Sequence, residues 1–248
     1  MRFADEAVLV AGGAGALGGA VCRAFLGEGA RVVAAGRSRD GFDALVASAG
    51  GLGSRLSFFA ADAADPAQAR AAVDEAARHG PLAAVVSTVG TWAGGSPLAE
   101  EPPDRLSRML AANLVPTHAL LRAAVPALAR GGGGAIVVVA SAGAVGAQPG
   151  QASYGAAKAA ALSLVVSVAE EARASGVRVN AVLPGTMDTE ANRRAMPDAD
   201  RSGWVSTDDV ARAIVFLCSE DSRAVTGVGL PVLRGVPGGR PGASGTGR

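Results

Sequence analysis

The sequence predicts a single-domain, doubly wound α/β fold built on a mainly parallel sheet. Short apolar runs typical of strands alternate with longer helical patterns along all of its 248 residues. Hydrophobic residues make up 49% of the chain and charged residues only 18%, which is enough for one sizeable core. Because strands joined through helices pair in parallel, we expect helices on both faces of the sheet.

Seven runs are predicted as strands, and they indicate a Rossmann-type sheet of about seven strands. In chain order they are AVLVA (7–11), RVVAA (31–35), RLSFFA (55–60), LAAVVS (82–87), AIVVVA (135–140), VRVNAVL (177–183) and VGLPVL (228–233). The domain is predicted to span 1–234. The remaining GVPGGRPGASGTGR (235–248) is predicted to be a flexible Gly/Pro-rich tail, because it has little to bury.

Composition and charge narrow the class of protein. The net charge is +1 and the arginines are spread along the chain, which argues against a nucleic-acid partner. Cys22 and Cys218 are the only cysteines, and their apolar helical surroundings predict buried thiols in a reducing compartment and no metal cluster. No apolar stretch reaches the length of a membrane span, so we expect a cytoplasmic protein without a membrane partner.

A glycine-rich loop follows the first predicted strand. In AGGAGALGGA, Gly13, Gly15 and Gly18 match G-x-G-x-x-G ahead of a helix predicted to begin near Leu17. Such a loop lets the backbone approach a pyrophosphate, which the N–H groups at the helix N-terminus stabilise. A purely structural turn is the alternative, but the position within the first β-α-β unit favours a dinucleotide.

Arginines stand where the second predicted strand ends. A site for NAD(H) would carry Asp or Glu there to bind the ribose 2′-hydroxyl, whereas this chain has Gly36 followed by Arg37 and, two residues on, Arg39. Arginine favours a 2′-phosphate, and therefore NADP(H) over NAD(H), unless these are solvated surface residues. After the third strand, Asp62 is predicted either to accept from an adenine amino group or to cap the helix beginning near Pro66.

The only tyrosine and the only lysine of the chain lie four residues apart, in SYGAAK (153–158). On a helix, that spacing puts Tyr154 and Lys158 on the same face. Arginine cannot replace lysine where a compact ammonium must sit beside a reacting group, so the pair indicates a catalytic site. The alternative is a core tyrosine with a surface lysine.

Taken together, these motifs resemble the short-chain dehydrogenase/reductase family over roughly residues 5–233. The T-G-x3-G-x-G loop of that family falls on Ala11, Gly12, Ala16 and Gly18, and N-N-A-G corresponds to Ser87-Thr88-Val89-Gly90, so both motifs depart from the family pattern. Asn113 fits the catalytic asparagine, Ser141 has the serine-to-tyrosine spacing, and Pro184-Gly185-Thr186-Met187-Asp188-Thr189 matches P-G-x3-T on the nicotinamide side.

The resemblance implies a catalytic set of Asn113, Ser141, Tyr154 and Lys158. Tyr154 would exchange a proton with the substrate oxygen, and a neighbouring ammonium would lower its pKa from about 10. Lys158 would also bind the nicotinamide ribose, Ser141 would donate to the substrate oxygen, and Asn113 would hold a water leading to Lys158. Alternatively, Ser141 satisfies the strand end and Asn113 a helix distortion.

The residues expected to bind the cofactor come from five strand ends and from the Tyr-Lys pair. They are Gly12, Gly13, Gly15, Ala16, Leu17, Gly18, Arg37, Asp62, Val89, Gly90, Tyr154, Lys158, Pro184, Gly185, Met187 and Thr189. The substrate pocket is expected to include Trp92, Gln148, Gln151, Met196 and Trp204, although aromatic and Met residues are more often core.

Three functions remain open on the sequence. The first is NADPH-dependent reduction of a carbonyl group in a small-molecule substrate. The second is reduction of a quinonoid pterin, since GGAGALG and the segment from MDTEANRRAMPDAD to Trp204 resemble dihydropteridine reductases. The third is a non-catalytic nucleotide-binding protein.

The helix that begins at SYGAAK is apolar on more than one face, which predicts a homodimer or homotetramer built on it and on the helix before the fifth strand.

Overall fold

Seven parallel strands form the main sheet of the computed structural model, which describes residues 1–234. The predicted tail, 235–248, lies outside the described residues. The strands are β1 (Ala7–Ala11), β2 (Arg31–Gly36), β3 (Leu56–Ala60), β4 (Leu82–Ser87), β5 (Gly134–Val139), β6 (Val177–Pro184) and β9 (Gly229–Val232), with β7 (Met187–Asp188) and β8 (Val205–Ser206) as a separate pair. The main sheet has the order β3-β2-β1-β4-β5-β6-β9.

Helices connect the strands and cover both faces of the sheet, so the predicted fold class is confirmed. They are α1 (Ala16–Gly27), α2 (Phe42–Ala49), α3 (Pro66–Arg78), α4 (Arg105–Asn113), α5 (Val115–Arg130), α6 (Ala152–Ala172), α7 (Glu190–Ala195) and α8 (Thr207–Cys218). Two helices, rather than the one expected, therefore precede β5, and Asn113 lies at their junction.

The strand residues divide between two apolar cores. In β1, Val8 and Val10 face the layer that contains α1 and α8, whereas Leu9 and Ala11 face the layer of α3, α5 and α6. Successive side chains of a strand point to opposite faces, and here both faces are covered. This is why the predicted strands are continuous apolar runs rather than alternating ones.

The strand order reverses between β1 and β4, which are neighbours in the sheet although helices and two other strands separate them in sequence. Connections leave this point in opposite directions, so a crevice opens beyond the carboxyl ends of the two strands. The glycine loop after β1 and the loop after β4 both lie at this crevice.

The C-terminal end of α8 is held by one side chain of β6. Arg178 donates through Nη1 to the carbonyl oxygen of Leu217 at 2.7 Å and through Nη2 to those of Cys218 and Ser219 at 3.2 and 3.0 Å. A cation suits the carbonyl end of a helix, where backbone acceptors lack partners. The contact fixes α8 against the sheet.

Helix α6 departs from one expectation. With the turn that follows it, Ala152–Ser175 is long and apolar enough to cross a membrane, with a mean hydropathy of 1.4, so the expectation that no stretch reaches this length is wrong. Length and composition alone are weak evidence, because core helices pass the same test. In this helix Ala157, Ala161 and Val165 are buried, and its neighbours are β6 and α4.

Candidate active site

The turn between β1 and α1 depends on two glycines. Gly12 has φ +81°, which favours glycine, and a Cβ at Gly18 would lie 2.0 Å from the carbonyl oxygen of Gly12. The first turn of α1 therefore packs directly on the loop. Helix α1 begins at Ala16 with Gly15 as its N-cap and no side chain capping it, so backbone N–H groups are available to a ligand.

A cavity of about 400 Å³ lies beside this turn, at the crevice between β1 and β4. Of the predicted cofactor residues, its lining includes Gly12, Gly15, Arg37, Asp62, Val89 and Gly90. Gly13, Ala16 and Gly18 do not line it and instead build the turn and the start of α1. The size, the glycine loop and the uncapped helix fit the adenosine and pyrophosphate of a dinucleotide.

The loop after β4 is joined to β1 by a threonine. The backbone N–H of Thr88 and its Oγ1 both donate to the carbonyl oxygen of Ala11, at 2.9 and 2.8 Å. The hydroxyl thus makes a local hydrogen bond where the family pattern has an asparagine. Thr88 was not among the predicted cofactor residues, although it lines the cavity beside Val89 and Gly90.

The two arginines after β2 have different surroundings. Arg39 stacks over the Phe42 ring at 4.9 Å and pairs with Asp43 at 3.5 Å. Arg37 is exposed, lines the cavity together with Ser38 and forms no ion pair with another residue of 1–234. Arg37 is therefore the arginine available to a bound anion.

Asp62 does not cap helix α3, so that alternative is wrong. The cap is Asp65, whose Oδ1 accepts from the N–H groups of Ala67 and Gln68 at 2.8 and 3.0 Å. Asp62 lies three residues too early for this role. It instead lines the cavity, and its Oδ1 accepts from the N–H of Ala64 at 2.9 Å.

A second cavity, of about 290 Å³, contains all four predicted catalytic residues in its lining: Asn113, Ser141, Tyr154 and Lys158. They come from α4, the loop after β5, and two successive turns of α6. Thr88 and Gly90 line both cavities, so the second continues from the first.

Lys158 is buried, with 5% of its surface exposed, and its Nζ donates to the carbonyl oxygen of Val139 at 2.9 Å. Burial lowers the pKa of Lys158 from 10.5 to about 8. With a pKa of about 8, most Lys158 side chains still carry the proton and the positive charge at neutral pH. The alternative of a surface lysine is excluded.

The expected lowering of the Tyr154 pKa is not found. Burial raises the pKa of Tyr154 above its usual 10, and the Ser141 hydroxyl offsets part of this increase. Lys158 does not offset it further: its Nζ lies 5.9 Å from the centre of the Tyr154 ring and its hydrogen bond goes to Val139.

Ser141 and Asn113 each have structural contacts as well as a place in the cavity. Ser141 Oγ accepts from the N–H of Gly143 at 3.1 Å, which closes the turn after β5. Asn113 is fully buried; its Oδ1 accepts from the N–H of Thr91 at 3.2 Å, and its Nδ2 donates to the carbonyl oxygens of Thr91 and Met109 at 3.0 Å. The Asn113 side chain thus fastens the loop after β4.

The loop after β6 contributes to the same cavity. Pro184, Gly185 and Met187, which are expected to bind the cofactor, line it, and so does Leu17 from the start of α1. Thr189 does not line either cavity; its hydroxyl accepts from the N–H of Asn192 at 3.2 Å and caps α7. The last position of the P-G-x3-T match is therefore used here to start a helix.

Four of the five predicted substrate residues, Trp92, Gln148, Gln151 and Met196, line the second cavity. Trp204 does not; the Arg201 guanidinium lies 5.7 Å from its ring. Asn192 and Ala195 of α7 also line the cavity; they lie within the segment 186–204 expected to form part of the substrate wall, although neither residue was singled out. No group of three His, Cys, Asp or Glu side chains that could hold a metal occurs within residues 1–234.

A dinucleotide-sized cavity that continues into a pocket holding tyrosine, lysine and serine defines an NAD(P)-dependent oxidoreductase. A family model described as short chain dehydrogenase matches residues 6–200. The chain therefore belongs to the short-chain dehydrogenase/reductase family, as its motifs indicated.

Known relatives and solved structures are similar to this protein over nearly its whole chain. The 4-formylbenzenesulfonate dehydrogenase of Comamonas testosteroni is 34% identical over 246 residues, which cover 94% of this chain and 98% of the relative. The 2,5-dichloro-2,5-cyclohexadiene-1,4-diol dehydrogenase of Sphingobium indicum is 30% identical over 240 residues, or 93% and 96% of the two chains. A short-chain type dehydrogenase/reductase from Mycobacterium ulcerans has a TM-score of 0.87 at 28% identity, covering 94% of this chain and 90% of that one.

Solved structures with either nicotinamide cofactor share the fold. ElxO with NADP bound has a TM-score of 0.85 at 24% identity, covering 92% of this chain and 97% of that one. NAD+-bound xylitol dehydrogenase has a TM-score of 0.86 at 22% identity, covering 95% and 100%. The fold thus serves both NAD and NADP.

Proposed function

We propose that the protein is an NADPH-dependent oxidoreductase that reduces the carbonyl group of a ketone or aldehyde, with Tyr154 as general acid. One observation carries the proposal: the cavity beside the glycine loop and the cavity around Tyr154 share Thr88 and Gly90 in their linings. A dinucleotide lying along both would have its nicotinamide end at the Tyr154 hydroxyl.

The cofactor would supply the hydride, and residues of this chain would manage the charge and the proton. Negative charge develops on the carbonyl oxygen as its carbon is reduced, and a preorganised hydroxyl donor stabilises that charge. Ser141 suits this role because the N–H of Gly143 holds its oxygen in place and its hydroxyl already acts on Tyr154, beside the expected position of the substrate oxygen. Tyr154 would then deliver its proton to the same oxygen.

Lys158 would act through position and charge. Its ammonium is one helical turn from Tyr154, and its bond to Val139 leaves two further N–H donors for the cofactor ribose and for a proton path. Asn113 holds the loop that carries Gly90, where a Cβ would lie only 2.5 Å from Asn113 Oδ1 and 3.0 Å from Lys158 Nζ. We assign Asn113 the role of positioning this loop and Lys158.

The preference for NADPH rests on Arg37. It follows β2, lines the first cavity and is not engaged in an ion pair within 1–234, unlike Arg39. A guanidinium at this place would bind a 2′-phosphate through charge-assisted hydrogen bonds.

The names of the two relatives support carbonyl and alcohol chemistry. One is a dehydrogenase of a formyl-bearing benzenesulfonate and the other of a cyclic diol. Both names describe the oxidative direction of hydride transfer, so the reaction of this protein should be assayed with NADPH and a carbonyl compound and, in reverse, with NADP+ and an alcohol.

Reduction of a quinonoid pterin is the second candidate. It is favoured because Met187, Asn192, Ala195 and Met196, which line the second cavity, belong to the segment 187–204 that resembles dihydropteridine reductases. Such a substrate spreads the arriving electrons over its ring, so it should depend less on Ser141. The test compares wild type with Ser141→Ala, using an active ketone and a quinonoid dihydropterin. A loss of about a hundredfold in ketone turnover supports carbonyl reduction. Pterin turnover that survives the substitution, with ketone turnover absent from both proteins, supports the alternative.

We also infer a cytoplasmic homodimer or homotetramer. Val115 at the start of α5 and Val166 on α6 are 44% and 50% exposed, and a second copy would cover them.

A further inference from the structure

We propose that the substrate is a neutral, flat carbonyl compound, such as an aromatic or cyclic ketone, and that the site discriminates against substrates bearing a carboxylate. This inference rests on the proposed function and adds the class of substrate. The charge and shape of the second cavity both point to it.

The wall of the second cavity offers no free charge to a substrate. Among the described residues that line it, Lys158 is the one charged side chain; it is buried, one of its donors goes to the Val139 carbonyl oxygen, and the proposed function assigns the other two to the cofactor ribose and a proton path. The other polar side chains of the wall are amides and hydroxyls. Neutral groups of this kind hydrogen-bond a substrate but leave an ionic charge uncompensated.

Charged residues beside the cavity are paired with each other. On and next to α7, Arg193 forms a bidentate ion pair with Asp188, in which Nε and Nη2 donate to the two carboxylate oxygens at 2.6 and 2.7 Å. Arg194 pairs with Glu190. Neither arginine lines the cavity. A substrate carboxylate would therefore lose water without gaining an ionic partner, which is unfavourable.

Trp92 gives the cavity an aromatic wall. It lies in the loop after β4, lines the cavity and is 50% exposed. A Cβ added at Gly94 would approach Cζ2 of the indole at 3.0 Å, so the ring packs against the backbone of its own loop. That loop is hydrogen-bonded to the loop after β5: the N–H of Gly95 donates to the carbonyl oxygen of Gly150 at 2.8 Å.

The Trp92 indole, which packs against its own loop and is half exposed, suits a flat apolar substrate. Met187 and Met196 also line the cavity, and methionine thioethers make favourable contacts with aromatic rings. These three side chains would contact the ring of the substrate while Tyr154 and Ser141 contact its carbonyl oxygen.

Two glutamines provide the polar part of the wall. Gln151 Nε2 donates to Gln148 Oε1 at 3.4 Å, a long hydrogen bond that orients both amides without neutralising any charge. Gln148 is exposed at the opening of the cavity, so a charge introduced there would act on the substrate. This makes Gln148 the position at which selectivity can be changed.

The first experiment uses acetophenone and its para-carboxylate derivative, which differ by one charged group, as competing substrates with NADPH. We expect wild type to prefer acetophenone at least tenfold in catalytic efficiency. Gln148→Arg should shift that preference at least tenfold toward the carboxylate, whereas Gln148→Leu, which removes the amide without adding charge, should not. Equal or better use of the carboxylate by wild type overturns the inference, as does a preference that Gln148→Arg leaves unchanged.

A binding measurement separates failure of this inference from failure of the proposed function. The chain has two tryptophans, and only Trp92 lines the cavity, so Trp204→Phe leaves a fluorophore at the site. With NADP+ present, acetophenone should quench it at lower concentration than the para-carboxylate derivative. If neither ketone is turned over but this order of binding holds, the proposed function fails and the inference stands; if the order is reversed, the inference fails.

Discussion

Lys158 Nζ donates a 2.9 Å hydrogen bond to the carbonyl oxygen of Val139, which joins the second turn of α6 to the end of β5. The contact buries the only ammonium of a lysine side chain in the protein. Its burial makes the stability of the fold depend on pH.

Lys158 should make the fold more stable as the pH rises above about 8. The pKa of Lys158 is 10.5 in the unfolded chain and about 8 in the folded one, so between these values the unfolded chain binds the extra proton and folding gains from its release. The gain is up to about 3 kcal/mol. It should appear as a difference between wild type and Lys158→Met in urea unfolding at pH 7.5, 8.5 and 9.

Wild type must be compared with Lys158→Met because other titrating groups make the fold less stable as the pH rises. Burial raises the pKa of Cys22 and Cys218 from 9.0 to about 12, so their contribution to stability is lost as the pH rises above 9. Both proteins contain these cysteines, so their effect cancels. A difference that stays flat or falls between pH 7.5 and 9 would contradict a buried ammonium with a lowered pKa.

Tyr154→Phe should lower carbonyl reduction by about 10²- to 10⁴-fold, because the variant keeps the ring but lacks the proton donor. NADPH affinity should change little. Steady-state kinetics and a titration of NADPH fluorescence measure the two effects separately. Near-normal turnover by the variant would exclude Tyr154 as the acid.

Lys158→Arg should reduce turnover almost as much although it keeps the positive charge. The space around Nζ is narrow: a Cβ at Gly90 would lie 3.0 Å from it, and the Val139 carbonyl oxygen accepts a hydrogen bond from it at 2.9 Å. A planar guanidinium cannot occupy this space in the same geometry. A fall of less than about threefold in kcat, against the 10²-fold scale of a lost acid–base group, would show that charge alone is sufficient.

Arg37→Ala should weaken NADPH binding by about 1.5–3 kcal/mol, roughly 10- to 100-fold, and leave NADH binding unchanged. Arg39→Ala is the matched control: this side chain stacks on Phe42 and pairs with Asp43, so its loss should not change the ratio of the two affinities. Calorimetric titrations give both ratios. Tight NADH binding by wild type, or a larger effect at Arg39, would refute the assignment.

Asp65→Ala should lower the thermal midpoint by about 2–4 °C, because two N–H groups at the start of α3 lose their acceptor. Asp62→Ala should have a smaller effect on the midpoint and should instead weaken cofactor binding. Thermal scans with and without NADP+ distinguish the two positions. Equal shifts for both variants in the absence of cofactor would show that Asp62 also supports the helix.

The sequence predicts the location of a residue correctly where a strand end fixes its place. Ser141 and Tyr154 meet because β5 ends at Val139 and α6 starts beside it, and parallel strands bring such ends to one edge of the sheet. The helical spacing of Tyr154 and Lys158 needed no tertiary information.

The sequence does not predict the direction of a side chain, and this is why some residues cap a helix or lie outside the cavity where a site residue was expected. Thr189 and Asp65 cap helices, and any short polar residue ahead of a helix can do so; the sequence does not say which of Asp62 and Asp65 is used. Trp204 follows the cavity-lining end of α7 in sequence yet lies beside Arg201. The hydrogen bond from Lys158 to Val139 and the resulting pKa values depend on packing, which the spacing of residues does not encode.

Both native thiols are sealed inside the protein, which makes the chain ready for site-directed chemical labelling. Cys22 and Cys218 are buried, and with pKa values raised to about 12 they carry almost no thiolate at neutral pH. A cysteine introduced at Ser54, which is exposed in the segment before β3 and outside α5 and α6, would thus be the reactive one, and energy transfer between donor- and acceptor-labelled copies would follow their association directly. The folded wild type should resist a thiol reagent that modifies two cysteines after unfolding; rapid modification of the native protein would rule out this use.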